Sequence, residues 1–145
     1  MSDPATETRS VVLEREFPFP PEKLWRALTQ PHLIEEWLMK NDFVPEVGHR
    51  FNLRTAPYGS WNGIVDSEVL AIEPNRTLAY RWDSGEGKLR VTSVVTWTLT
   101  PTGSGTHLRM EQSGFRSDQP QNYQGAKYGW QNFFGKLEQV LGKTN

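Results

Sequence analysis

Cysteine is absent from the 145 residues. Its absence excludes disulfides, thiolate metal sites and a cysteine nucleophile, and it fits a reducing compartment. Charge of one sign is also missing. Sixteen Lys and Arg stand against seventeen Asp and Glu, a formal net charge of -1. With no basic surplus, attraction to nucleic acid or to an anionic membrane is not expected. Purely apolar runs are a few residues long, far short of the roughly 20 needed for a spanning helix. Met1 to Ser10 lacks the apolar stretch of a secretory signal. The expectation is a soluble cytoplasmic protein, with residues 1–9 as a loose tail and residues 10–145 as a single domain.

Motifs of catalysis are missing as well. His32, His49 and His107 have no metal-ligand spacing, and no compact carboxylate cluster completes a site. Gly103-Ser104-Gly105 is a turn signal and not a nucleophile elbow. Gly85-Glu86-Gly87 lacks the strand–loop–helix setting of a phosphate loop and belongs to a hairpin. No metal and no cofactor are expected.

What the chain does have is aromatic rings, 12% of its residues and six of them Trp. Large rings in a small domain mark a ring-built core or a lined pocket. Alternation predicts a strand over Ser10–Phe17, with Val11, Leu13, Arg15 and Phe17 on one side. Pro18, Pro20 and Pro21 end it. Pro21 and Glu22 suit the first turn of a helix that buries Leu24, Trp25 and Leu28. Pro31 opens a second short helix with Leu33, Ile34, Trp37 and Leu38. Strand patterns follow at Arg50–Thr55, Trp61–Ile72, Leu78–Trp82, Val91–Leu99 and from His107 to Gln112. The second of these alternates irregularly, which predicts a bulge near Gly63 or Val69. A last helix, from near Gln121 to near Leu141, carries Ala126, Trp130, Phe133, Phe134, Leu137, Val140 and Leu141 at helical spacing.

Several segments, taken in order, resemble a known family. They include Phe19-Pro20-Pro21-Glu22-Lys23-Leu24-Trp25-Arg26-Ala27-Leu28-Thr29, Val47-Gly48-His49-Arg50-Phe51, and the run from Ser67 to Leu78. Tyr80-Arg81-Trp82, Gly105-Thr106-His107-Leu108-Arg109-Met110, Ser113-Gly114-Phe115 and Gly129-Trp130 complete the set. The chain is similar to the START-like (SRPBCC) helix-grip superfamily, in the branch of homologues of the activator of the heat-shock-protein-90 ATPase. The resemblance implies an α+β fold: a curved antiparallel sheet of about seven strands wrapped around a long C-terminal helix, with two short helices after the first strand. It implies a hydrophobic small molecule held between sheet and helix. Some members of the superfamily are cyclases or aromatases, some carry lipids, and some act on a chaperone. Ser67 departs from the pattern where Gly is expected, and His49 where a second Gly is common.

On this reading the ligand-binding candidates are Trp37, Phe51, Tyr80, Trp82, Trp97, Met110, Gln112, Trp130 and Phe133. Gln112 is a polar group on an apolar face, of the kind that orients a ligand. If Leu70 and Ile72 face inward, Glu68 and Asp66 share the concave side, and Glu68 becomes a weak candidate for a general acid or base. Three functions compete. The first is a binding protein for a hydrophobic or aromatic small molecule, and the absence of a convergent acid–base pair favours it. The second is a cyclase-, aromatase- or hydrolase-like enzyme using the same pocket. The third is a chaperone-interacting module without a ligand.

Overall fold

The computed structural model describes residues 8–59, 61–86, 90–116 and 118–143. The elements run β1 (Thr8–Phe17), α1 (Pro21–Thr29), α2 (Pro31–Trp37), β2 (Lys40–Asn41), β3 (Arg50–Arg54) and β4 (Ile64–Glu73). They continue with β5 (Thr77–Ser84), β6 (Val91–Pro101), β7 (Thr106–Arg116) and α3 (Pro120–Lys143). The seven strands form one antiparallel sheet in the order β1-β7-β6-β5-β4-β3-β2. It curves around α3, as a helix-grip fold does. The expected tail falls mostly outside the described residues, but its end does not, since Thr8 and Arg9 already pair with Arg116 and Phe115. The loop expected at 84–88 also runs partly outside them. No helix among the described residues is long and apolar enough to cross a membrane.

Proline punctuates the first half as its chemistry requires. Pro21 and Pro31 each stand in the first turn of a helix, where a missing N–H loses nothing. The Thr29 hydroxyl closes α1 by donating to the Trp25 carbonyl at 2.6 Å. Trp37 ties the two helices together, its indole N–H reaching the Ala27 carbonyl at 2.8 Å.

Strand β4 corrects the sequence expectation. The segment from Trp61 to Gly63 is not part of it, because Trp61 turns back to bridge Tyr58. The register then slips between Val69 and Ala71, at one of the two expected places. Before the slip Val65, Ser67 and Val69 face inward, while Asp66, Glu68 and Leu70 face out. A bulge reverses the parity beyond it. Counting back from Leu70 and Ile72 therefore put Glu68 on the wrong side.

Helix α3 is buried unevenly. Trp130, Phe134, Leu137, Val140 and Leu141 are buried, and the helix as a whole packs on α1, α2, β1 and β7, with Phe134 against Phe17 at 6.4 Å. Arg15 reaches from β1 to Glu138 at 3.1 Å, with its guanidinium 5.7 Å over the Phe134 ring. From Pro120 to Gly129 no residue is buried.

The β6–β7 hairpin is docked against the start of α1 through Thr106, whose hydroxyl donates to the Phe19 carbonyl at 2.8 Å. Gly105 makes this approach possible, because a Cβ there would overlap the Phe17 carbonyl oxygen. Gly105→Ala is expected to destabilise the fold by about 1–3 kcal/mol, as over-packing does. Gly103→Ala, in the same turn with open space around it, is the control. Chemical denaturation of both variants checks the difference.

Candidate functional site

The concave sheet face and the inner face of α3 meet in a continuous layer of rings. Trp130 is its hub, 2% exposed, with ring centroids 5.2 Å from Trp82, 5.6 Å from Trp97 and 5.4 Å from Phe133. Trp97 also meets Phe134 at 5.8 Å and Trp37 edge-on at 5.6 Å. Tyr80 joins the layer to Phe51 at 5.6 Å, and Phe51 packs on Phe43 at 5.2 Å. Edge-on and tilted pairs at these distances are favourable contacts.

Polar atoms run through the layer. The Trp130 indole N–H donates to Gln112 Oε1 at 2.7 Å. Gln112 Nε2 donates to the Ser93 hydroxyl at 2.9 Å. Ser93 in turn donates to the Trp82 carbonyl at 2.6 Å. Separately, the Trp97 indole N–H donates to the Tyr80 phenol at 3.0 Å. Burial pushes the Tyr80 ionisation well above the usual tyrosine range, and the bond from Trp97 opposes that shift only in part. The phenol is therefore a neutral donor at any physiological pH.

Every ligand-binding candidate except Phe133 is buried. Trp37, Phe51, Tyr80, Trp82, Trp97, Met110, Gln112 and Trp130 all belong inside, and Phe133 is half-buried at the rim. Met110 sits fully buried between Trp97 on β6 and Leu13 on β1. Ring contacts at 5.2–5.6 Å bring Trp82, Trp97, Trp130, Trp37, Tyr80 and Phe51 together in this one buried layer. Two surface clefts stand apart from the layer. One of about 550 Å³ is lined by Glu36, Lys136, Gln139, Val140 and Lys143.

Glu68 is not part of this layer. It faces outward, its side chain 32% exposed, and pairs with Arg50 at 3.4 Å. Asp66 also lies on the outer face, where it accepts from Asn52 at 3.1 Å. Among the described residues no cluster of three or more His, Cys, Asp or Glu could hold a metal. Sequence reasoning missed Ser93 and the inward side of Ser67. The signal for Ser93 was present, since it shares parity with Val91 and Val95.

The curved sheet around α3 and its ring layer define a helix-grip protein. The chain belongs to the family of Activator of Hsp90 ATPase homolog 1-like proteins, whose model matches residues 18–142. Among solved structures it is similar to protein MLL2253 from Mesorhizobium loti, at 62% identity and a TM-score of 0.86, over 94% of this chain and 99% of that one. CalU16 from Micromonospora echinospora is 26% identical with a TM-score of 0.76, over 99% of this chain and 82% of that one. DynU16, a protein in the dynemicin biosynthetic locus, is also 26% identical, with a TM-score of 0.76. Its match covers 92% of this chain and 47% of that one. No curated protein matches.

Two expected outcomes follow from the polar atoms. Gln112→Leu strands the Trp130 N–H in a buried site, and an orphaned buried donor costs about 1–3 kcal/mol. Denaturation followed by Trp fluorescence should read a loss of that size. The second concerns alkali. The unfolded phenol ionises near pH 10 by its reference value, while the folded one holds its proton to higher pH. The stability Tyr80 contributes is thus intact below about pH 10 and is lost as pH rises above it. Tyr80→Phe should flatten that alkaline decline in a pH series of denaturation curves.

Proposed function

We propose that the protein binds a hydrophobic or aromatic small molecule between the concave sheet and α3, and that the first half of α3 moves to admit it. The observation that carries this reading is the contrast within α3. Its second half is anchored, while Pro120–Gly129 buries no residue yet leads directly into the hub at Trp130. Gly125 and Gly129 lie in this stretch, and an added Cβ would meet nothing within 4 Å at either. Close packing thus does not require them. Each makes the helix about 1 kcal/mol weaker than Ala would. Segments with few buried contacts open at low free energy. Tyr123 and Ala126 pack against the core while only partly buried, Tyr123 against Phe115 at 5.9 Å and under the Arg9 guanidinium at 5.2 Å.

The layer's chemistry supports a binder over an enzyme. Its polar groups are amide, hydroxyl, phenol and indole, with no acid–base pair among them. The likeness to CalU16 and DynU16 supports it through the shared fold.

The test is a neutral environment-sensitive probe, N-phenyl-1-naphthylamine. It should bind stoichiometrically and quench Trp fluorescence. Gly125→Ala combined with Gly129→Ala should raise Tm and weaken probe binding about 3- to 30-fold, because stiffening the helix taxes its open form. Raised Tm with unchanged binding would remove the moving helix. No probe binding at all would remove the pocket and move the chaperone-partner reading ahead.

A further inference from the structure

Two buried hydroxyls in the ring layer have a proton with no acceptor among the described residues. Ser67 is 7% exposed, and its Oγ, fully enclosed, has no hydrogen-bond partner among the described residues. Tyr80 accepts from Trp97, but its own proton finds no acceptor among the described residues. An unmatched buried donor is unfavourable, so two of them on one face call for a physical reason.

They stand near each other. Ser67 lies directly across from Phe51 on β3. On its other side the pairs Val65–Ser84 and Asp66–Asp83 carry the register on to place Ser67 beside Trp82. Val69 pairs with Tyr80, so Ser67 and Tyr80 are diagonal neighbours on the concave face, within reach of one molecule. Phe51 touches both positions, across the ladder from Ser67 and 5.6 Å from the Tyr80 ring.

We propose that Ser67 and Tyr80 are the polar anchor of the ligand site, and that they recognise the carbonyl oxygen of a neutral aromatic ketone or quinone. The proposal rests on the binding reading above and names its ligand class. The Tyr80 oxygen is already occupied as an acceptor, so what it offers a ligand is its proton. Ser67 offers a second. A carbonyl oxygen has two lone pairs and takes both donors. Burial keeps the phenol protonated and able to donate. Among the described residues the buried polar ones are Thr29, Ser67, Ser93, Thr106, Gln112 and Gln119, none of them charged. A carboxylate would enter this layer without a cation to offset its desolvation, which selects a neutral ligand. Phe51 and Trp82, flanking Ser67, supply faces for an aromatic body.

A matched pair of probes tests this: 2-acetylnaphthalene, which has the carbonyl, and 2-ethylnaphthalene, which has the shape alone. Titrations by calorimetry on the full chain should show the ketone binding about tenfold tighter than the hydrocarbon. Ser67→Ala and Tyr80→Phe should each lower the ratio of ketone to hydrocarbon affinity. Ser67→Ala removes an unsatisfied hydroxyl, so its Tm should not fall. That variant keeps the test open even if Tyr80→Phe, which strands the Trp97 N–H, folds poorly. Equal binding of the two probes to the unmodified protein overturns the proposal and leaves the binding reading standing. So does a preference that survives Ser67→Ala. A lower Tm for Ser67→Ala with the ketone preference intact assigns the hydroxyl to an internal water, and also overturns it. Binding of neither probe overturns both readings.

Discussion

The indole N–H of Trp130 has one proton to donate and a closed, apolar place to donate it. That constraint sets the geometry of the whole grip. A Trp ring buried between helix and sheet must find an acceptor, and Gln112 supplies it at 2.7 Å. Gln112 stands between Val11 on β1 and Val95 on β6. The bond therefore fixes how α3 is rotated and how far it has slid along the sheet. Dispersion contacts alone would tolerate small slips of one ring across another; a hydrogen bond of this length does not. Ser93 and the Trp82 carbonyl extend the same restraint to β5 and β6.

Much of the fold was legible because its punctuation is local. Pro18, Pro20, Pro21 and Pro31 mark where the first strand stops and both short helices begin. The stripe through Trp130, Phe134, Leu137 and Leu141 has the period of one buried helix face. The parity of Leu108, Met110 and Gln112 gave the inward side of β7 correctly. What failed was parity across a bulge. Leu70 and Ile72 lie at or beyond the slip in β4, so counting back from them turned Glu68 inward, whereas it pairs with Arg50 in solvent. The closure of the ring layer was not legible at all. Periodicity says which side of a strand a ring occupies. It does not say whether rings from Tyr80, Trp97 and Trp130 leave space or interdigitate, because that depends on rotamers and sheet curvature.

The layer combines two kinds of order. Its rings are packed closely enough to exclude solvent, yet they carry an amide, two serine hydroxyls and a phenol. A core built for stability alone would do as well with apolar groups of the same shape. The chain Trp130–Gln112–Ser93–Trp82 is satisfied and rigidifies the grip. Ser67 and the proton of Tyr80 lie outside that chain. The division of α3 follows the same line: one half is buried in the core, and the other packs on it while only partly buried.

The pairing of β1 with β7 sets the order in which this molecule can be made. Thr8 lies across from Arg116, and Phe17 across from Thr106, so the first strand of this sheet to be synthesised waits for the last. Its contacts have high sequence separation, the topology that slows folding because loop-closure entropy is lost before contacts form. The hairpins from β3 to β7 pair consecutively and can assemble while β1 is still free. Until β7 emerges, Val11, Leu13 and Phe17 have no surface to cover, and the strand's edge is open to other chains. Glu14, Arg15 and Glu16 put charge on that waiting strand, which keeps it in solution until its partner arrives.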